Sequence, residues 1–77
     1  MPYPLTATDA VIAENVRVLL ARYRWPAKKV ADQIGMAPRQ FRQRTRGEVP
    51  WSADDVLRTA RALGVTVDVL STARADA

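Results

Sequence analysis

The chain has 77 residues, 48% of them hydrophobic and 26% charged, with twelve basic and eight acidic side chains and neither cysteine nor histidine. That length suits one domain near the lower limit of a self-supporting core, with no disulfide or thiolate metal site to stiffen it. Without histidine the commonest general base and the commonest metal ligand are both missing, so neither an enzyme nor a metal or cofactor site is expected. No apolar run approaches the length of a membrane span, and the start has no charged-then-apolar signal sequence. The expected location is the cytoplasm, with no membrane partner.

MPYPLTA, with two prolines, is expected to be an extended leader over residues 1–7, before a single domain over residues 8–71. Thr8 is placed to cap the first helix, with Thr6 as the alternative. From Asp9 to about Arg24, the residues Ile12, Val16, Leu19 and Tyr23 form one apolar stripe, widened by Leu20. Glu14, Arg17 and Arg22 fall largely on the opposite side. Pro26 breaks the chain and admits a second helix ending at Ile34, and Gly35 stands where a left-handed cap is needed.

Pro38 suits the first turn of a third helix, because its missing N–H would be unpaired there in any case. Ala37 is a weak cap that forgoes about 0.5–2 kcal/mol relative to Ser or Asp. The third helix should reach about Thr45 and stop at Gly47, with Phe41 on its inner side. Ser52 caps a fourth helix over about Ala53–Leu63, stapled by Trp51 and Val56 and burying Val56, Leu57, Ala60 and Leu63. After Gly64, Thr66 caps a short fifth helix to about Ser71, with Val65 and Leu70 as a second staple. Val65, Val67, Val69 and Leu70 are expected to divide between core and surface. Trp25 and Trp51 are expected to be packing anchors, and residues 72–77 a flexible tail. No strand pattern or repeat is present.

Val30 to Gly47 thus reads as helix, three-residue turn and helix, and Arg39, Arg42, Gln43 and Arg46 recur every three to four residues on one face of the second helix. Charge concentrates there as well. Arg22 to Arg46 holds eight bases and one acid, net +7, whereas the rest of the chain holds four bases and seven acids, net −3. A polarised basic segment of this kind suits a polyanion, and a small basic domain presenting such a helix suits a DNA groove.

From about Ile12 to Leu70 the chain resembles the lambda-repressor-like, Cro and xenobiotic-response-element type helix-turn-helix proteins. Three strings carry the resemblance: IAENVRVLLARY as the first helix, VADQIG with the following helix and RG as the reading unit, and ARALGVTVDVL as the closing helices. It implies an all-α, compact five-helix domain with the helix-turn-helix at helices 2 and 3. The function it implies is sequence-specific transcriptional regulation by a Cro-like or repressor-like protein of a phage or mobile element. Such proteins bind double-stranded DNA as homodimers on palindromic operators, and no small-molecule ligand is implied.

Carried over by position, the base-facing residues are Pro38, Arg39, Arg42 and Gln43. The two arginines can each donate twice to guanine, Gln43 can pair with adenine, and Pro38 offers only an apolar contact. The phosphate-facing positions fall on Lys28, Lys29, Arg46 and the backbone N–H groups around Gly47 and Glu48. Arg44 can join them by laying its methylenes on the core and turning its head outward. The chain departs from the family's pattern in having Ala27 where a Gln is common, Arg44 where an apolar residue packs, and Thr45 where a Glu is common. Two other uses of the fold remain open. One is the antitoxin of a toxin–antitoxin pair, which an apolar, exposed fifth helix would favour; the other is a module that makes only protein contacts.

Overall fold

Thr6, rather than Thr8, caps the first helix. In the computed structural model, which describes residues 5–74, α1 spans Ala7–Tyr23 and begins in a reciprocal capping box. The Asp9 amide donates to Thr6 Oγ1 at 3.1 Å, and the Thr6 amide donates to Asp9 Oδ2 at 2.9 Å. Thr8 could not close such a box, because Val11 stands where the acid is needed. The helical register therefore begins inside the expected leader, whose residues 1–4 lie outside the described residues.

The other helices are α2 (Ala27–Ile34), α3 (Pro38–Thr45), α4 (Ala53–Leu63) and α5 (Val67–Ser71), and the described residues contain no strand. None of the described helices is long and apolar enough to cross a membrane. Ile12, Val16, Leu19 and Leu20 of α1 meet Val30, Ala31 and Ile34 of α2, Phe41 of α3, Val56, Ala60 and Leu63 of α4, and Leu70 of α5 in one cluster. Trp51 joins this cluster and crosses Phe41 edge to face, with ring centroids 6.1 Å apart. Such a pair contributes about 0.5–1.5 kcal/mol beyond its burial. Tyr23 is only half-buried: its ring packs on the core while its hydroxyl donates to the Leu63 carbonyl at 3.2 Å.

Two expectations about burial need correction. Leu57 is 40% exposed, and Thr59, fully buried, occupies the inner face of α4 with Val56, Ala60 and Leu63. Leu57 lies about 100° round the helix from Val56, at the edge of the stripe. The second concerns the expected tail. Buried Asn15 donates from Nδ2 to the carbonyls of Leu70 at 2.7 Å and Thr72 at 2.9 Å, with Val69 at 3.3 Å. One amide thus meets the last carbonyls of α5, which a five-residue helix cannot satisfy internally, and ties Thr72 to the domain. Residues 75–77 lie outside the described residues.

Helix ends follow the glycines at Gly35 and Gly64, both left-handed C-caps with φ of 73° and 72°. α1 is different. Its C-cap, Arg24, adopts φ 59° and ψ 40°, the left-handed region, with a full side chain.

Candidate nucleic-acid interface

α2 and α3 are held at their crossing by buried apolar residues and by the backbone of the turn. Val30 and Ala31 are fully enclosed, Ile34 is buried, and Met36 packs half-buried against them. The Gly35 amide donates to the Asp32 carbonyl at 3.3 Å and the Met36 amide to the Ala31 carbonyl at 2.9 Å, closing the end of α2. The chain then extends through Ala37, which caps α3 without a side-chain hydrogen bond, and Pro38 takes the first helical position.

α3 has an inner and an outer side. Phe41 and Thr45, one turn apart, are buried. Arg17 of α1 donates from Nη1 to the Thr45 carbonyl, fastening the end of α3 to α1. Thr45 Oγ1 donates to the Arg42 carbonyl at 3.0 Å, so its buried hydroxyl is satisfied. On the outer side Arg39, Arg42 and Arg46 are exposed, and Pro38 and Gln43 are half-buried beside them. Among the described residues, Arg39, Arg42 and Arg46 have no ion-pair partner. Three uncompensated guanidinium groups and one amide therefore share a face whose backbone is immobilised from behind.

Two residues assigned to phosphate contact are otherwise engaged. Arg44 does not project outward: its Nε pairs with Asp55 Oδ2 of α4 at 3.1 Å, and its Nη1 donates to the Gln40 carbonyl at 3.0 Å. Both partners of that pair are four-fifths buried, with 20% and 17% of their side chains exposed. Arg44 thus makes a charged contact between α3 and α4. Gly47 adopts φ 76°, and its N–H donates to the Arg44 carbonyl at 3.1 Å, while the Glu48 N–H donates to the Gln43 carbonyl at 2.9 Å. The two amides complete the end of α3 and do not point to an outside acceptor.

The start of α2 supplies the other half of the surface. Pro26 caps it without a side-chain hydrogen bond, and although the Lys29 amide donates to the Pro26 carbonyl at 3.0 Å, the Ala27 and Lys28 amides at the very start of the helix have no acceptor within it. Lys28 pairs with Asp32 at 2.7 Å, an exposed i,i+4 pair of a kind that holds a lysine only weakly. Lys29 lies 4.8 Å above the Trp25 ring, which is itself 5.0 Å from the Tyr23 ring. Trp25 thus packs at the corner and positions a cation.

Sequence reasoning did not single out Arg17, Gln40 or Asn15. Gln40 is exposed on α3 next to the outer arginines. Helical periodicity places Arg17 outward, and nothing in its neighbours signals that it reaches the end of another helix. Among the described residues, no group of three or more Asp, Glu, His or Cys could hold a metal.

No protein-family model matches the chain, and no curated protein matches it in sequence. Solved structures do share its fold. A hypothetical transcription factor from Neisseria aligns with a TM-score of 0.83 at 23% identity, over 99% of this chain and 91% of its own. The restriction-modification controller protein C.AhdI from Aeromonas hydrophila aligns with a TM-score of 0.77 at 20% identity, over 84% of this chain and 98% of its own. The five helices of this chain therefore share the all-α fold of these two proteins.

Proposed function

We propose that this chain is a sequence-specific DNA-binding transcriptional regulator, Cro-like or repressor-like, that places α3 in the major groove. One observation carries the reading. α3 is anchored by Phe41, Thr45 and Arg17, while Arg39, Arg42 and Arg46 stand unpaired on its outer side. The two solved structures of the same fold, a hypothetical transcription factor and a restriction-modification controller protein, support a regulatory role.

In this reading Arg39 and Arg42 donate to guanine O6 and N7, Gln43 meets an adenine edge, and Pro38 lies against a thymine methyl. Lys28, Lys29, Arg46 and the Ala27 and Lys28 amides at the start of α2 hold the phosphates on either side. One such module covers roughly 600–1,000 Å² of DNA, so a homodimer on half-sites about one helical turn apart is expected to be the working form. Val67 and Val69 of α5, 38% and 50% exposed, offer an apolar surface for the second copy. The test is selection of bound sites from random duplex DNA at two salt concentrations. A two-fold motif with guanine in each half-site is the expected result. Absence of an enriched motif at either salt would remove the sequence-reading role.

The same valines favour a second reading, the antitoxin of a toxin–antitoxin pair, in which α5 holds a different protein. The mass of the protein purified alone and with its neighbouring gene product separates the two. A homodimer unchanged by co-expression supports the first reading, and a stoichiometric hetero-complex seated on α5 supports the second.

A further inference from the structure

We propose that Arg24, at the corner between α1 and α2, is a phosphate contact that carries the DNA footprint outward past the start of α2. This rests on the DNA-binding reading above. The argument begins with backbone strain. Arg24 is the one non-glycine with positive φ among the described residues; Gly35, Gly47 and Gly64 hold the other such positions. An L-residue in that region brings Cβ against the following carbonyl, and glycine avoids the clash.

No hydrogen bond or ion pair among the described residues compensates for this side chain. The hydrogen bonds that close α1, from the Arg24 amide to Ala21 and from the Trp25 amide to Leu20, are backbone bonds that glycine would form equally well. Arg24 is exposed and has no partner among the described residues. Strain kept without a structural return points to a role outside the folded chain.

The position names the ligand. Arg24 precedes Ala27, the first residue of α2, by three residues, so it lies within about 10 Å of the first turn of α2 along the chain. Arg22 is exposed beside it, and Lys29 is held on Trp25. No acidic residue occurs between Glu14 and Asp32, and Asp32 faces Lys28. The corner is therefore a purely cationic continuation of the surface that α2 presents to the DNA backbone. Phosphates of one strand advance about 3.4 Å per nucleotide along the helix axis, so Arg24 meets the backbone at most about three nucleotides beyond the one that faces α2.

The test uses the full chain, with Arg24→Gly and Arg24→Lys, on a duplex selected by the wild-type protein and on the same duplex trimmed of its flanks. Arg24→Gly is expected to raise the melting temperature by about 4–8 °C through relief of strain. On the long duplex it should flatten the dependence of log K on log salt by about 0.9. The advantage of the wild type then shrinks about 3.5-fold between 50 and 200 mM salt. Arg24→Lys keeps the wild-type slope, and on the trimmed duplex wild type and Arg24→Gly bind alike. A wild-type slope for Arg24→Gly on the long duplex overturns the proposal, and so does a lower melting temperature, which would assign Arg24 to the negative pole of α1. If the wild-type protein binds no duplex, the DNA-binding reading and this proposal fall together; if it binds and Arg24→Gly matches it, only the role of Arg24 falls.

Discussion

Replacing Asp9 by Ala should cost about 2–4 kcal/mol, a large part of the roughly 4–12 kcal/mol that a chain of this length has in total. Asp9 is 7% exposed, and its two carboxylate oxygens serve different parts of the fold. Oδ2 accepts from the Thr6 amide at 2.9 Å and the Thr6 hydroxyl at 3.0 Å; Oδ1 accepts from the buried Trp51 amide at 2.9 Å, across 42 residues. Removing the carboxylate strands the Trp51 N–H in the interior, at about 1–3 kcal/mol, and breaks half of the capping box, at about 1 kcal/mol. Burial alone would raise this carboxyl, but the hydrogen bonds from Trp51 and Thr6 outweigh it and hold the pKa below the ordinary 3.8. A folded value below the unfolded one means the contribution is complete above about pH 4 and fades as pH falls through the folded value. Urea unfolding followed by circular dichroism, at neutral pH and stepwise from about pH 5 to pH 2, reads both effects. Asp9→Asn should lose part of the stability at neutral pH, and its gap to wild type should narrow in acid. A cost below about 0.5 kcal/mol for Asp9→Ala, or a gap that stays constant in acid, would refute the clamp.

Three further outcomes are expected. Arg39→Ala should relax preference at one base pair per half-site at a cost of about 1–3 kcal/mol; an equal loss on every sequence would move Arg39 to the phosphate set, and binding to a panel of single-substitution duplexes decides. Lys29→Ala should weaken binding uniformly and make the salt slope shallower by about one, with an unchanged slope removing it from the surface. Thr59 is fully buried and its hydroxyl has no hydrogen-bond partner. Thr59→Val should therefore raise stability by about 1 kcal/mol in thermal unfolding, and a loss of that size would show that the hydroxyl has a partner in solution.

Local chemistry made most of the fold legible. Gly35, Gly64 and Ser52 mark helix ends through backbone requirements that act within a few residues, and Pro38 and Phe41 set the start and the inner side of α3 in the same way. The choice of Thr8 over Thr6 missed a local signal that was present, the acid three residues after Thr6. Leu57 and Thr59 show where periodicity is weakest: hydrophobicity ranks Leu57 inward, but the angular position of Thr59 decides. The long-range contacts had no local signal. Asn15 closes α5 from more than fifty residues away, Arg17 reaches the end of α3, and Asp55 captures Arg44 from α4. Hence the outward face of α3 could be found from spacing, whereas the engagement of Arg44 and of the Gly47 amide depended on how the chain closes around them.

The most direct test of α3 as the DNA-reading element is a map of backbone amide shifts, recorded on the nitrogen-15-labelled chain as a selected duplex is added. The largest changes should fall on Ala27 to Lys29 and from the residue after Pro38 to Gly47, with α5 responding only through its contact with a second copy. Changes confined to Leu57 and α5, with the outer side of α3 silent, would contradict the account.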